Sequence, residues 1–212
     1  MARVNPSRRK APQVEAPVAR PDWVVAALAV LGVLVSGYLT WIKLSGMGAA
    51  LCTAGSGCDI VQASRYARFL WVPTALWGLV VYLALAALAG VGLAGRNWLL
   101  AFILAAGGVG FSIYLTALSI FDLGATCIWC VTSAAIMIAI LVALVMRRPA
   151  PVARRQTPGS ARLATYGSLA ALGAVVGGAF VYAAPFAGAP DYQGALARHL
   201  AQVNAVMYGA YW

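Results

Sequence analysis

Long apolar stretches dominate the pattern of hydrophobic and polar positions along the chain. Five of them contain no charged residue; they lie between Asp22 and Lys43, Arg68 and Arg96, Arg96 and Asp122, Asp122 and Arg147, and Arg162 and Asp191. A spanning helix needs about 20 mostly apolar residues. Because lipid offers the backbone no hydrogen-bond partners, such stretches form helices rather than open strands. The pattern therefore predicts helices over residues 23–43, 73–94, 97–119, 127–146 and 165–184.

Composition supports this assignment. The chain is 63% hydrophobic and only 9% charged, whereas about a quarter of the residues of a soluble domain are charged. The net charge of +10 does not indicate nucleic acid as a partner, because the basic residues lie between apolar stretches. We predict an all-α membrane protein, a four-transmembrane-helix bundle plus a fifth transmembrane helix, with the lipid bilayer as its surroundings.

The basic residues also predict an orientation. If the N-terminus is cytoplasmic, eleven of the fifteen basic residues fall in inner segments, and only Lys43, Arg65, Arg68 and Arg198 fall outside. Such a bias is typical of multi-pass proteins. A cleaved signal peptide is the alternative for the first stretch, but that stretch is too long and lacks a small-x-small cleavage site. We predict a bacterial inner-membrane protein with its outer loops in the periplasm.

Charge and composition divide the chain into segments. A Pro- and Arg-rich linker separates the fifth helix, which we expect to stand apart from the first four. In the longest outer loop, Asp59–Arg68 predicts a short surface helix. Beyond the fifth helix, Asp191–Ala205 predicts an amphipathic helix and Val206–Trp212 a strand. The predicted segments are a disordered cytoplasmic tail (1–21), the bundle (22–146) with its outer loop (44–72), the cytoplasmic linker (147–162), the fifth helix (163–186) and a final segment (187–212).

Four cysteines carry the candidate chemistry. Cys52 and Cys58 lie in the outer loop, and Cys127 and Cys130 form a C-x-x-C motif at the start of the fourth helix. The orientation places all four on the outer side, where disulfides persist. A helix N-terminus favours a thiolate, which makes the C-x-x-C pair reactive. The loop glycines, Gly55 and Gly57, predict a mobile pair beside a fixed pair, as a relay of thiol–disulfide exchanges requires.

Other interpretations of the cysteines stay open. The four thiols can be ligands of zinc or of an iron–sulfur cluster, since C-x-x-C is common in such sites. They can also form two structural disulfides in a membrane scaffold or a transporter subunit. The irregular loop spacing argues against a metal. The small length of chain that a C-x-x-C bridge constrains argues against a purely structural role.

The order and spacing of several motifs resemble the vitamin K epoxide reductase family in its bacterial form. The resemblance covers residues 23–146 and rests on Ala50-Leu51-Cys52, Cys58, Ser64, Trp77-Gly78, Tyr82, Ser112-Ile113-Tyr114-Leu115 and Cys127-Ile128-Trp129-Cys130. An unrelated quinone-linked oxidase places its C-x-x-C first, which is the reverse order. Residues 199–212 resemble the opening of a thioredoxin-like domain that follows the fifth helix in bacterial relatives. We expect that domain to be incomplete here.

The resemblance implies a quinone-dependent thiol oxidoreductase that generates disulfide bonds. It makes Cys127 and Cys130 the active-site pair, with Cys130 facing the quinone. Cys58 would attack Cys127, and Cys52 would exchange with a thioredoxin-like domain or protein.

The resemblance further implies a hydroxyl role for Ser64 near the reactive sulfur or the quinone. Helix or loop capping is the alternative for this serine. Candidates for the quinone pocket are Phe111, Tyr114, Thr74, Trp71 and Trp77. Thr74 and Ala134 replace an asparagine and a tyrosine of animal relatives, so the cofactor is expected to be ubiquinone, menaquinone or a related quinone.

Overall fold

The computed structural model describes residues 21–46, 52, 56–148, 159–183, 199 and 202. Five of its helices are long and apolar enough to cross a membrane, which confirms the predicted all-α membrane fold. A short helix, α2, precedes the second spanning helix. The helices are α1 (Trp23–Ser45), α2 (Gly57–Ala63), α3 (Thr74–Val91), α4 (Arg96–Phe121), α5 (Ile128–Met146) and α6 (Ser160–Ala183).

Local chemistry sets the helix ends. The Asp22 carboxylate accepts hydrogen bonds from the backbone N–H groups of Val24 and Val25 and caps α1, satisfying donors that a helix start leaves free. Gly46, with φ of 71°, closes the same helix in the left-handed conformation that glycine adopts without steric cost. The observed ends of the spanning helices lie within a few residues of the predicted ones.

The spanning helices α1, α3, α4 and α5 enclose a core near the end of the bundle where α1 begins. α1 packs against α3 and α5, and α4 packs against α3 and α5. Tyr82, Trp98 and Ile140 are almost fully buried there, and the Trp98 Nε1 donates to the Leu144 carbonyl at 3.0 Å. Gly32 of α1 packs on the ring of Tyr82 at a distance that leaves no room for a side chain. Close packing of this kind holds helices together in lipid, where hydrophobic burial contributes little.

The helix α6 does not stand apart, so that expectation was wrong. It packs along α4, and a Cβ at Gly110 of α4 would lie 2.7 to 2.9 Å from atoms of Ala171. Gly178 of α6 lies against Phe111 and Tyr114 in the same way. Small residues on both helices permit this close approach. A long linker in the sequence does not prevent the helix that follows it from packing against the bundle.

Residues 56–73 form a unit that we call the cap. It contains α2, a 3₁₀ turn (Arg65–Ala67) and a hairpin of two short strands, β1 (Arg68–Phe69) and β2 (Val72–Pro73). The surface helix predicted over Asp59–Arg68 therefore begins earlier and stops at Ala63. Ser64 ends it, because this residue is extended and its hydroxyl donates back to the Val61 carbonyl at 2.7 Å.

Two ion pairs mark opposite ends of the molecule. Arg147 pairs with Asp22 at 3.1 Å, and the Asp22 N–H donates to the Ala89 carbonyl, so the start of α1 lies beside the ends of α3 and α5. Arg65 of the cap pairs with Asp122, which follows α4, at 3.8 Å. The cap and the turn before α5 therefore occupy the other end. The predicted segments 191–205 and 206–212 lie outside the described residues, apart from His199 and Gln202, which are helical.

Candidate active site

The two cysteine pairs meet where the cap lies over the start of α5. Cys52 and Cys58 are joined in a disulfide, while Cys127 and Cys130 are free thiols. The Sγ atoms of Cys58 and Cys127 lie 3.6 Å apart, and both side chains are buried. This is van der Waals contact between a thiol and one sulfur of a disulfide. The arrangement therefore places a nucleophile directly against the bond that it can attack.

Gly57 allows this contact. A Cβ on Gly57 would lie 2.7 Å from the Thr126 carbonyl oxygen and 3.0 Å from its nitrogen. Both are backbone atoms, which cannot rotate away. The first turn of α2 therefore approaches the segment before Cys127 only because residue 57 has no side chain. We expected Gly57 to give the loop freedom to move, but in this structure it permits a close backbone approach. Gly55 lies outside the described residues.

Cys127 is the N-cap residue of α5 in an extended conformation, one residue outside the membrane-spanning segment. A hydrogen bond from the Cys130 side chain, together with hydrogen bonds from the backbone N–H groups of Cys130 and Trp129, lowers its pKa from 9.0 to about 7 despite burial. These donors are the free groups of a helix start, which stabilise negative charge. At neutral pH Cys127 is therefore a good leaving group and a populated thiolate.

Tyr66 joins the cap to the turn that carries Cys127. Its hydroxyl donates to the Asp122 carboxylate at 2.6 Å and accepts from Arg65 at 2.6 Å. Burial, followed by the hydrogen bond to Asp122, raises the pKa of Tyr66, so it stays protonated and keeps donating. The Tyr66 carbonyl accepts from the Thr74 hydroxyl at 2.9 Å. These bonds hold the two halves of the cysteine site together.

A cavity of about 590 Å³ extends from the cysteines into the bundle. Cys127 and Cys130 line it, as do three of the predicted pocket residues, Thr74, Trp77 and Phe111. Its walls are predominantly apolar, with contributions from α1, the cap, α3, α4, α5 and α6. The volume falls in the range of pockets that bind small ligands and cofactors.

A family model described as the vitamin K epoxide reductase family matches residues 23–145. The chain belongs to the vitamin K epoxide reductase family. Membership identifies it as a membrane oxidoreductase of the thiol–disulfide class, in a family that is quinone-linked in general. The matched region includes all four cysteines, the cap and the first four spanning helices, whereas α6 lies beyond it.

The cavity residues fit the cofactor of the vitamin K epoxide reductase family. A quinone headgroup is flat and apolar at its faces and carries two carbonyl oxygens. Phe69, Trp77 and Phe111 supply aromatic walls, and their rings meet edge to face at Phe69. Ser112 also lines the cavity and, among the described residues, its hydroxyl has no hydrogen-bond partner. A free hydroxyl can donate to a carbonyl oxygen such as those of a quinone.

Besides the loop cysteines, Cys52 and Cys58, three predicted site residues do not line this cavity. Ser64 uses its hydroxyl to close α2, which is the capping alternative. Trp71 lies at the tip of the cap hairpin, where it is exposed and has a φ of 68°. Tyr114 packs against Gly178 and Tyr182 of α6 and lines a separate surface groove with Asp122. Helical periodicity and proximity in sequence could not show that Phe111 and Trp77 line the cavity while these three residues do not.

Sequence reasoning missed residues that line the cavity or that bond to its lining. Tyr82 was noted only as part of a motif, yet it is buried and its hydroxyl donates to the Ser133 carbonyl one turn beyond Cys130. Tyr182 of α6 was not considered, because nothing in the sequence indicated that α6 reaches the site. Within the described part of the chain, no group of three or more His, Cys, Asp or Glu residues is arranged to hold a metal ion.

Proposed function

We propose that this protein is a membrane thiol–disulfide oxidoreductase that makes disulfide bonds for a thioredoxin-like domain or protein. Electrons pass from that partner to Cys52 and Cys58, then to Cys127 and Cys130, and finally to a quinone. The observation that carries the proposal is the 3.6 Å contact between the sulfurs of Cys58 and Cys127. It brings the two pairs into reacting distance at one end of a cofactor-sized cavity.

The relay consists of two exchange steps. The Cys58 thiolate attacks Cys127 in an oxidised Cys127–Cys130 pair, forming a Cys58–Cys127 bond and releasing the Cys130 thiolate. The Cys52 thiolate then attacks Cys58, forming the Cys52–Cys58 disulfide and releasing the Cys127 thiolate. Two electrons have moved from the loop pair to the C-x-x-C pair. The structure has the bonding of this end state, with Cys52 joined to Cys58 and two free thiols in the motif.

Each cysteine has a distinct role in this scheme. The lowered pKa of Cys127 favours its release in the second step, because a less basic thiolate is a better leaving group. Cys52 exchanges with the partner. Cys130 lines the cavity and delivers the electrons from there. When bound, the quinone accepts two electrons and two protons from the C-x-x-C dithiol, which becomes a disulfide.

The orientation forms part of the proposal. We place the N-terminus and the linker 147–162 in the bacterial cytoplasm, and the cap and all four cysteines on the periplasmic side. The distribution of basic residues supports this. So does the grouping of the cap with the start of α5 at one end of the bundle and of Asp22 with Arg147 at the other. In this scheme residues 22–146 are the catalytic bundle and the later segments connect it to the thioredoxin-like partner.

The test is anaerobic mixing of the fully reduced protein with a soluble quinone. We expect quinol to form and two thiols to be lost for each quinol. Cys130→Ala should abolish quinol formation. Cys52→Ala should retain one round of quinone reduction by the C-x-x-C pair but should block electron entry from a thioredoxin-like dithiol. Unchanged coupled turnover in both variants, or no quinol from the unmodified protein, would refute the proposal.

A further inference from the structure

The helix α6 supplies one wall of the cavity, although it lies beyond the region matched by the family model. Its contribution consists of small residues only: Ala170, Gly173, Ala174, Gly177 and Gly178 line the cavity. In the described residues, α3 and α6 make few contacts with each other, although both pack against α4. On this side the cavity therefore lies over α4 in a gap between α3 and α6.

Two of these glycines are not explained by helix packing. A Cβ at Gly173 or Gly177 would meet no atom within 4 Å, whereas one at Gly178 would press on Phe111 and Tyr114 at 3.0 to 3.3 Å. Gly178 is thus a packing glycine, and the other two border open space. Being four residues apart, Gly173 and Gly177 lie on the same face of α6, and both are exposed. They mark the edge at which the cavity opens toward the lipid.

Tyr182 fixes this wall to the cap. The tyrosine is buried, and its hydroxyl donates to the Tyr66 carbonyl at 3.1 Å. Its ring contacts Tyr66 and Phe69 edge to face, with centroids 5.3 and 5.6 Å away. Tyr66 belongs to the network that joins the cap to Asp122. The position of α6 is therefore coupled to the cap, which also carries Cys58.

We propose that α6 is a functional wall of the quinone site, in which Gly173 and Gly177 leave the room taken by the quinone's apolar tail. This inference rests on the proposed function and extends it to specificity. The headgroup must lie near Cys130 to accept electrons, and a tail attached to it needs an apolar path to the bilayer. The gap beside these glycines is continuous with the cysteine-lined cavity and offers that path.

The test is a comparison of two quinones binding to the oxidised, membrane-reconstituted protein, in which no turnover takes place. The probes are decylubiquinone and the same headgroup without a tail, followed by quenching of tryptophan fluorescence, since Trp77 lines the cavity. Gly177→Leu should raise the Kd of decylubiquinone on the order of tenfold. The Kd of the tail-less quinone should change by less than about twofold, because the headgroup binds away from α6.

The control is Gly90→Leu. Gly90 is also a helical glycine with nothing within 4 Å of its Cβ position, but it lies near the end of α3 and does not line the cavity. Its replacement should leave both Kd values unchanged. If Gly177→Leu does not fold, Gly173→Leu, one turn away and equally open, decides the question.

The outcomes separate the two proposals. Loss of affinity for the tailed quinone alone supports the role of α6. Equal loss for both quinones, or no loss for either, overturns it while leaving the proposed function standing. An unmodified protein that binds neither quinone contradicts the proposed function and this inference together.

Discussion

At the scale of single residues, Cys127 has surroundings that differ from those of the other cysteines. Its sulfur lies 3.6 Å from Cys58, it accepts hydrogen bonds from the Cys130 side chain and the backbone at the start of α5, and it lines the cavity. Burial alone would raise its pKa, and the hydrogen bonds outweigh that effect. The Cys127 sulfur is thus positioned to form a bond to Cys58, and its thiolate is a good leaving group when that bond breaks.

The first prediction concerns the pKa of Cys127. In protein reduced at the C-x-x-C pair only, ultraviolet thiolate absorbance should titrate with a midpoint near 7. Below that pH the thiolate becomes protonated and is lost. Cys130→Ala removes the largest stabilising hydrogen bond, so the midpoint should rise toward 9.0, the ordinary value for this thiol. A midpoint that stays near 7 in the variant would show that the side chain of Cys130 does not set this pKa.

The second prediction concerns which sulfur partners Cys58. Replacing Cys52 and Cys130 by Ala leaves Cys58 and Cys127, and mild oxidation should join them nearly completely, because their sulfurs are already in contact. The matched control replaces Cys52 and Cys127, leaving Cys58 with Cys130, and should cross-link on the order of tenfold more slowly. Peptide mass spectrometry under non-reducing conditions distinguishes the two products. Equal cross-linking in both variants would contradict the geometry.

At the scale of elements, the cap is positioned by close backbone approach, by hydrogen bonds and by the ring contacts of Tyr66 and Phe69 with the spanning helices. The first turn of α2 lies against the backbone of Thr126. Tyr66 bonds to Asp122, and Thr74 and Tyr182 bond to the Tyr66 carbonyl. The short hairpin is closed by Leu70 and Trp71, both with positive φ, a conformation that non-glycine residues adopt at a cost. The cap is therefore held by several small contributions from α3, α6 and the turn after α4.

The third prediction tests the approach of α2. Gly57→Ala puts a Cβ 2.7 Å from the Thr126 carbonyl oxygen, so α2 must move away and carry Cys58 with it. We expect the rate of exchange between the two cysteine pairs to fall by about tenfold to a hundredfold. Direct reduction of quinone by the C-x-x-C pair should be nearly unchanged. Rapid-quench thiol labelling measures the exchange.

The control for this variant is Gly90→Ala, which adds the same methyl group to a helical glycine with open space around it. Its exchange rate should match that of the unmodified protein. If Gly57→Ala also exchanges at the original rate, the close approach to Thr126 does not control the position of Cys58.

At the scale of the whole molecule, two ends of different chemistry are separated by five apolar helices. One end has the Asp22–Arg147 ion pair, and the other has the cap, Asp122 and the cysteines. Large apolar side chains such as Leu34, Phe121 and Phe180 are exposed, as expected for surfaces that contact lipid. The four cysteines therefore lie together at one end of the bundle.

The fourth prediction concerns the side of the membrane on which that end lies. In intact bacterial spheroplasts, a membrane-impermeant maleimide should label Cys52 once the loop disulfide is reduced, because Cys52 is the more accessible of the two loop cysteines. A cysteine introduced at Arg148, just beyond the end of α5, should be labelled only in inverted vesicles. The inside excess of basic residues is the physical reason. The reverse pattern would overturn the proposed orientation while leaving the exchange chemistry intact.

The sequence by itself determined the spanning helices, the membrane class and the grouping of the cysteines into two pairs. These features rest on local properties: runs of apolar residues long enough to cross lipid, and the spacing of thiols along the chain. For the same reason, the C-x-x-C pair could be assigned to a helix start. The family resemblance then implied roles for individual residues. Three of the residues that it implied for the quinone pocket, Thr74, Trp77 and Phe111, line the cavity.

The tertiary structure alone decided which residues meet. Gly57 was interpreted as a flexible loop residue, and α6 as a tethered helix, because sequence shows neither how close two backbones come nor which helices pack together. Ser64 and Tyr114 matched sequence motifs but do not line the cavity, whereas Tyr182, more than 100 residues from Tyr66 in the chain, bonds to it. Apolar residues on every face of a spanning helix look alike in sequence, because lipid and protein interior are both apolar. Only the packing of the helices distinguishes the faces that line a binding cavity from the faces that contact lipid.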